Sequence, residues 1–388
     1  MSLWWARREQ LDKYQLNLIE NLPLRQNHLV LGPPGSGKSN VLLRRAQFVR
    51  GQEMPNVLVM TFTRPLTEFV KTGCLDAQGR EIFPPNCVTT LESWLRSLYA
   101  RHRHDLPGEQ ANLQEWKKQL ATGALVFREE SHFPLYDALF VDEAQDLLPE
   151  EIEVLKQWTP VLFFAGDDRQ RIFASADGLE AVRHGVPGLR EHVLPFHYRL
   201  APQICRMADR ILVAGTGRSL ESTSHYEGPR PGRICANGPL TQQQQLERAA
   251  ARLREQIRVY GDLIRQGDRL GVVVAWKDHR EAVLEYFEAD PELRGRSKII
   301  RARKVDEDAY DPCFDRDTPI CVLTVQGCKG LEFRALHWLF CEELSQHHND
   351  EHYYTVVTRA KTSLDLYYTS GLPEALARAW APTGEDLW

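Results

Sequence analysis

Gly32-Pro33-Pro34-Gly35-Ser36-Gly37-Lys38-Ser39 is the stretch on which the reading of this chain turns. An apolar run, Leu29-Val30-Leu31, leads into it, and Val41-Leu42-Leu43-Arg44-Arg45, with helical spacing, leads out. The pattern is strand, glycine-rich turn, helix, which is the G-x-x-x-x-G-K-[ST] phosphate cradle. Glycines let the backbone turn tightly, so that its N–H groups and the following helix N-terminus converge on an anion. Gly32, Gly35, Ser36 and Gly37 would line the cradle. Lys38 would reach the terminal phosphates of a nucleoside triphosphate, and Ser39 would bind magnesium. The alternative is a glycine-rich loop that binds nothing, and the flanking strand and helix pattern argues against it.

Outward from this loop, other apolar runs end in polar residues. Asn56 to Thr63 reads as a buried strand closing on Thr61-Phe62-Thr63, and Val88-Thr89-Thr90-Leu91 as a short one running into Glu92-Ser93-Trp94. Ala138-Leu139-Phe140-Val141 runs into Asp142-Glu143-Ala144-Gln145-Asp146, and Val161 to Ala165 into Gly166-Asp167-Asp168-Arg169-Gln170. Carboxylates at the carboxyl edge of a parallel sheet give a metal and an attacking water their partners. Asp142 is expected to hold magnesium and Glu143 to polarise water. Residues from about Arg101 to Pro134 are polar, are broken by Pro107-Gly108, and look like a small helical insertion. Before the loop, Leu11 to Ile19 has helical spacing. Gln15 there offers both a donor and an acceptor, as reading an adenine edge requires.

A second α/β segment follows. Thr241 with Gln244 resembles a capping box opening a helix through Tyr260, and Gly271 to Ala275, Ile320 to Thr324 and Ala335 to Phe340 read as strands. At 388 residues the chain is long enough for two domains with separate cores. The net charge of -5 neither advertises nor excludes a nucleic-acid partner, since phosphate contacts need a local basic groove and not a basic total. Arg96 to His104 and Arg294 to Lys304 are two such basic runs, each equally readable as a solvated charged face. The second turns acidic at Asp306-Glu307-Asp308, which suggests an exposed loop. The eight cysteines have no C-x-x-C spacing, so neither a zinc site nor a disulfide framework is expected. The first residues lack the apolar core of a signal peptide and no stretch approaches membrane-spanning length, so a cytoplasmic protein without a membrane partner is expected.

In order along the chain, these motifs resemble those of a compact UvrD/Rep-type superfamily 1 helicase. Gln15 stands at the adenine-reading position and Gly32 to Ser39 at motif I. Thr61-Phe62-Thr63 resembles motif Ia, and Thr90 to Trp94 the stretch after it. Asp142 to Asp146 matches motif II, Gly166 to Phe173 motif III, Tyr198-Arg199 motif IV, Thr324 to Phe333 motif V and Tyr354 to Ala360 motif VI. D-E-A-Q-D, K-G-L-E-F and T-R-A together are the specific part. The resemblance implies two RecA-like P-loop NTPase domains with parallel sheets, residues 1–197 and 198–388, with ATP and Mg2+ in the interdomain cleft. It implies that Gln170 senses the γ-phosphate and that Arg199 and Arg359 reach it as arginine fingers. Tyr198 would stack on adenine, Glu332 would contact the ribose, and Asn40 and Gly330 would lie at the nucleotide. Phe62, Thr63, Thr90, Trp94, Thr324 and Gln326 would face a single strand.

Departures from the family pattern fall on the strand side. Ser175 replaces a base-stacking aromatic, leaving Phe62 and Trp94 as candidates to compensate or as core residues. Asn40 stands where many relatives have arginine, and Glu92 and Gln326 stand where histidine is usual. The interval from Leu200 to Leu323 barely accommodates the second core domain itself, so a duplex-engaging subdomain is not expected. The expected activity is a DNA-dependent ATPase moving three-prime to five-prime on single-stranded DNA, with RNA and self-sufficient helicase activity left open. The rival expectation is a nucleotide-gated sensor or regulatory subunit that activates a partner such as a nuclease.

Overall fold

Apolar runs that end in polar turns become parallel strands in the computed structural model, which describes residues 5–76, 78–108, 112–131, 135–170, 177–212, 219–300, 317–344 and 349–380. The chain divides into two units. The first comprises Trp5–Gly32 and Gly37–Pro195; the second runs from Phe196 and also takes in Pro33–Ser36.

In the first unit, six strands are β1 (His28–Leu31), β2 (Val57–Thr61), β3 (Val88–Thr90), β4 (Ala138–Val141), β5 (Leu162–Gly166) and β6 (Arg190–Val193). They lie in the order β3-β2-β4-β5-β1-β6, and every pairing is parallel. Because all strands point one way, their polar exits Gly32, Asp142 and Asp167 emerge at a single edge. Strand β5 lies between the phosphate-loop strand β1 and the acidic strand β4. Successive side chains alternate between two cores. Leu29, Leu58, Met60, Leu139 and Val141 enter one, whereas Val30, Val57, Val59 and Phe140 enter the other. Burial on both faces is why these strands read as continuous apolar runs. Edge strand β6, Arg-Glu-His-Val, is largely exposed and carries no such run.

The polar stretch after Arg101 contains a helix, Leu113–Ala124, whose Trp116, Leu120, Ala121 and Ala124 are buried in the first of these cores. Trp94 belongs to the same core. It is 3% exposed, edge-on to Trp158 at 6.1 Å, and its indole donates to Tyr136 at 3.3 Å.

In the second unit the strands are β7 (Arg233–Asn237), β8 (Leu270–Val274), β9 (Ser297–Ile299), β10 (Ile320–Thr324), β11 (Phe333–Trp338) and β12 (Ala360–Tyr367). Their order is β7-β12-β11-β8-β10-β9, again all parallel. The helix Gln242–Val259 opens on the expected box. Thr241 accepts from Gln244 N at 3.2 Å, and its own N–H donates to the Gln244 side chain at 2.9 Å. Two six-stranded all-parallel sheets are consistent with two RecA-like domains. Among the described residues no helix is long and apolar enough to cross a membrane.

Trp94→Ala is expected to destabilise the first unit by about 3–5 kcal/mol, the usual cost of emptying an aromatic core site. Denaturant unfolding followed by tryptophan fluorescence measures it; a loss below about 1 kcal/mol would mean that Trp94 is not core.

Candidate nucleotide site

Two glycines shape the loop after β1. Gly35 and Gly37 have φ of 78° and 83°, the left-handed region that side chains resist. A Cβ on Gly37 would also lie 2.7 Å from the Gln15 amide nitrogen, so glycine both allows the turn and admits Gln15 beside it. Gln15 is buried, and its carbonyl accepts from Asp12 N at 3.1 Å within a capping box. The helix Lys38–Arg50 starts directly on Gly37. Its first-turn N–H groups have no intrahelical acceptors and favour an anion there. Gly32 N donates to Gly166 O at 3.3 Å and Ser36 N to Pro33 O at 3.1 Å. Asn40, on the helix, accepts from Ala6 N at 3.2 Å.

Lys38 turns back into the loop. Its ammonium donates to Gly32 O at 2.6 Å and lies 3.5 Å from an Asp167 oxygen. Gln170 meets the same carboxylate, donating to it at 3.1 Å. Ser39 Oγ donates to Asp142 Oδ2 at 2.6 Å, and Glu143 N donates to Asp142 Oδ1 at 3.0 Å. Glu143 sits at φ 56°, a strained conformation for a non-glycine residue at the end of a strand. Gln145 links the two acidic turns: its amide donates to Glu143, and its carbonyl accepts from Asp167 N at 3.0 Å. Neither Gln145 nor Asp167 stands out in the sequence except as a motif letter. Their roles come from β4 and β5 being neighbours.

Burial, and then the Glu143 charge, push the Asp142 carboxyl up to about 6. Burial also raises Asp167, with Lys38 opposing. Carboxylates gathered in a dry place favour a cation. Among the described residues no group of three or more His, Cys, Asp or Glu side chains could hold a metal. One carboxylate and one hydroxyl, Asp142 and Ser39, nevertheless fit magnesium, which commonly takes one or two protein oxygens and completes its shell with water and phosphate. These residues could hold it.

The remaining nucleotide-site candidates belong to the second unit. Tyr198 is 38% exposed, as a stacking ring requires. Arg199 forms an ion pair with Glu332, and its second amino group donates to Thr358 O at 3.4 Å. Gly330 has φ 76°. Arg359 is buried, donating to Thr355 O at 3.0 Å, Leu331 O at 3.4 Å and Thr358 Oγ1 at 3.3 Å.

The AAA domain family (AAA_19) matches residues 15–176, from the buried glutamine through the acidic strands. Over residues 15–176 the chain is thus similar to a helicase-type P-loop NTPase domain. No curated protein matches the chain. Among solved structures, the C-terminal domain of a possible DNA helicase from Lactobacillus plantarum WCFS1 is similar at 20% identity and a TM-score of 0.33. That match covers 47% of this chain and 94% of the other.

The strand-side candidates are less uniform. Thr63 caps the helix Arg64–Thr72, accepting from Leu66 N at 3.3 Å, and Thr90 caps Leu91–His102, accepting from Ser93 N at 3.0 Å. Thr324 accepts from Gly327 N at 3.2 Å in the turn after β10. Each threonine therefore has a local structural duty. Gln326 is exposed, and Phe62 is half-buried with the Lys117 ammonium 4.4 Å from its ring centre. Trp94 offers no face to a base, because both sides of its ring are core; on this residue the strand expectation is corrected. Arg96 pairs with Glu92 at 3.1 Å and covers Trp116, while His102 stacks on Phe127, so this basic run is partly engaged in packing. Ser175, the end of motif III at Arg171 to Phe173, Arg301 to Lys304 and Asp306 to Asp308 lie outside the described residues.

Ionised Asp142 costs the folded state, so neutralising it should stabilise the ligand-free protein. Because its folded pKa lies above the ordinary value, the parent loses stability as pH rises through about 6. Asp142→Asn should therefore unfold at higher temperature than the parent at pH 7.5, with the gap closing toward pH 4, and should lose stabilisation by magnesium with ATP. Thermal unfolding across pH, with and without the ligand pair, checks both outcomes.

Proposed function

We propose that this chain is a nucleic-acid-dependent ATPase of UvrD/Rep type that moves along single-stranded DNA three-prime to five-prime. The observation that carries the reading is one sheet edge in a helicase-type NTPase domain. There Lys38 and Gln170 meet at Asp167, and Ser39 meets Asp142 beside Glu143. Lys38 and the loop N–H groups bind the phosphates. Ser39 and Asp142 hold magnesium, which supplies charge neutralisation on the phosphate oxygens when bound. Glu143 orients the attacking water and takes its proton. Gln170 stands where the terminal phosphate is sensed.

From the second unit, Arg199 and Arg359 act on the terminal phosphate, Tyr198 on the base and Glu332 on the ribose. Arginine suits that work because its planar guanidinium stays charged and stabilises transferring phosphoryl oxygens chiefly in the transition state. Phe62 and Gln326 remain the best candidates to touch the strand. Strand binding and nucleotide turnover then share one equilibrium, which is what lets hydrolysis drive movement.

Purified protein should hydrolyse ATP faster with single-stranded oligonucleotides than without, and should displace streptavidin from one end of a biotinylated strand. Glu143→Gln should bind ATP and magnesium yet turn over about 10²–10⁴-fold more slowly, the usual contribution of a general base. Absence of stimulation by either DNA or RNA would overturn the reading. Nucleotide-dependent strand binding without displacement would favour a nucleotide-gated sensor serving a partner.

A further inference from the structure

The ion pair between Arg199 and Glu332 is the outer end of a charged cluster running through the second unit. Glu332 has two cationic partners: Arg199 on one oxygen and Lys361, at 3.2 Å, on the other. Lys361 is buried and turns its ammonium also to Asp268, at 2.8 Å. Asp268 is fully buried and is gripped from its other side by Arg334, at 2.7 Å through Nε and 2.6 Å through an amino group. Arg334 in turn donates to Thr362 at 3.0 Å, which shares a 2.6 Å hydrogen bond with Tyr226. Among the described residues, three cations thus face two carboxylates. Among the described residues, Lys361 is the cation that touches both carboxylates.

This count has a consequence for Arg199. An arginine that serves a nucleotide phosphate must leave Glu332, and a nearly buried carboxylate stripped of its counterion is costly. With Lys361 in place, Glu332 keeps one cation and Asp268 keeps Arg334, so what remains is two cations against two carboxylates. Without Lys361, Arg199 would be, among the described residues, the one cation left on Glu332 and would be held there.

We propose that Lys361 is a positioning residue for ATP hydrolysis: it keeps Glu332 neutralised when Arg199 departs for the terminal phosphate, and so sets how readily the arginine is released. This deepens the reading above and rests on Arg199 acting on the phosphate. Lys361 need not touch the nucleotide. Its charge is held below the ordinary lysine range, at about 8, because burial lowers it and Arg334 and Arg199 add repulsion that Asp268 only partly offsets. The groups facing it are Asp268 before β8, Glu332 and Arg334 at β11, and Arg199. Release of Arg199 therefore weakens as pH rises through about 8, when Lys361 loses its proton.

Steady-state kinetics and nucleotide-binding measurements on the full chain test this. Lys361→Met should lower kcat about tenfold or more with nucleotide affinity nearly unchanged, since the arginine acts chiefly on the transition state. Lys361→Arg should restore kcat and remove the decline above about pH 8, because a guanidinium keeps its charge. Adding Glu332→Gln to Lys361→Met should recover kcat, though not nucleotide affinity, because the trap for Arg199 is gone. A Lys361→Met enzyme with parental kcat, a double variant no faster than the single one, or a Lys361→Arg profile that keeps the parental alkaline decline would each overturn the proposal. Arg199→Ala is the control. If it leaves kcat unchanged, the underlying reading of Arg199 fails, and if it abolishes turnover while Lys361→Met does not, only the present inference fails.

Discussion

The contact between the Lys38 ammonium and the buried Asp167 carboxylate is the constraint around which the first unit is arranged. Asp142, Glu143 and Asp167 stand at the carboxyl ends of the neighbouring strands β4 and β5, all largely withdrawn from water. Such a group is stable only if something positive is at hand, and Lys38 is the ammonium that meets it in the free protein among the described residues. A parallel sheet is what makes the gathering possible, because β1, β4 and β5 must all discharge at the same edge. The order β4-β5-β1 then puts Asp167 between the phosphate loop and the acidic turn, with Gln145 tying one carboxylate turn to the other. Strain at Glu143 and the left-handed glycines of the loop are the local costs of that geometry.

Charge is organised differently in the second unit. There the ion pairs run across the starts of the neighbouring strands β12, β11 and β8, from Arg199 and Glu332 to Lys361, Asp268 and Arg334. Burial pushes Asp268 up, but Lys361 and Arg334 outweigh it and hold the carboxyl below its ordinary range. Buried ion pairs of this kind seldom add net stability over apolar packing. Their place next to Arg199 and Glu332 points to positioning as their use.

How far the sequence could be read follows from the same physics. Strands β1, β2, β4, β5, β8 and β10 were legible because both of their faces are apolar, and Thr241 with Gln244 announced its helix. Strand β12 was not, since Ala-Lys-Thr-Ser-Leu-Asp-Leu-Tyr mixes in Lys361 and Asp365, whose partners come from the segment before β8 and from the helix Gln242–Val259. Edge strand β6 was hidden by its exposure. That Lys38, Ser39, Asp142 and Glu143 would gather at one sheet edge was legible from motif spacing, whereas the bridging part of Gln145 was not, because it depends on which strands are neighbours. Trp94 illustrates the opposite error. An aromatic next to a polar motif can look like a stacking platform, and only the packing of Trp158 and Tyr136 against it reveals core.

The proposed function requires that the edge beside Lys38 be a site for a magnesium-bound nucleoside triphosphate. Isothermal titration of the purified chain with ATP, with and without magnesium, tests it most directly when Lys38→Ala is titrated alongside. Saturable, magnesium-enhanced binding by the parent and its loss in Lys38→Ala is the predicted result. Equal binding by the two proteins, or no binding by a folded parent, would contradict it.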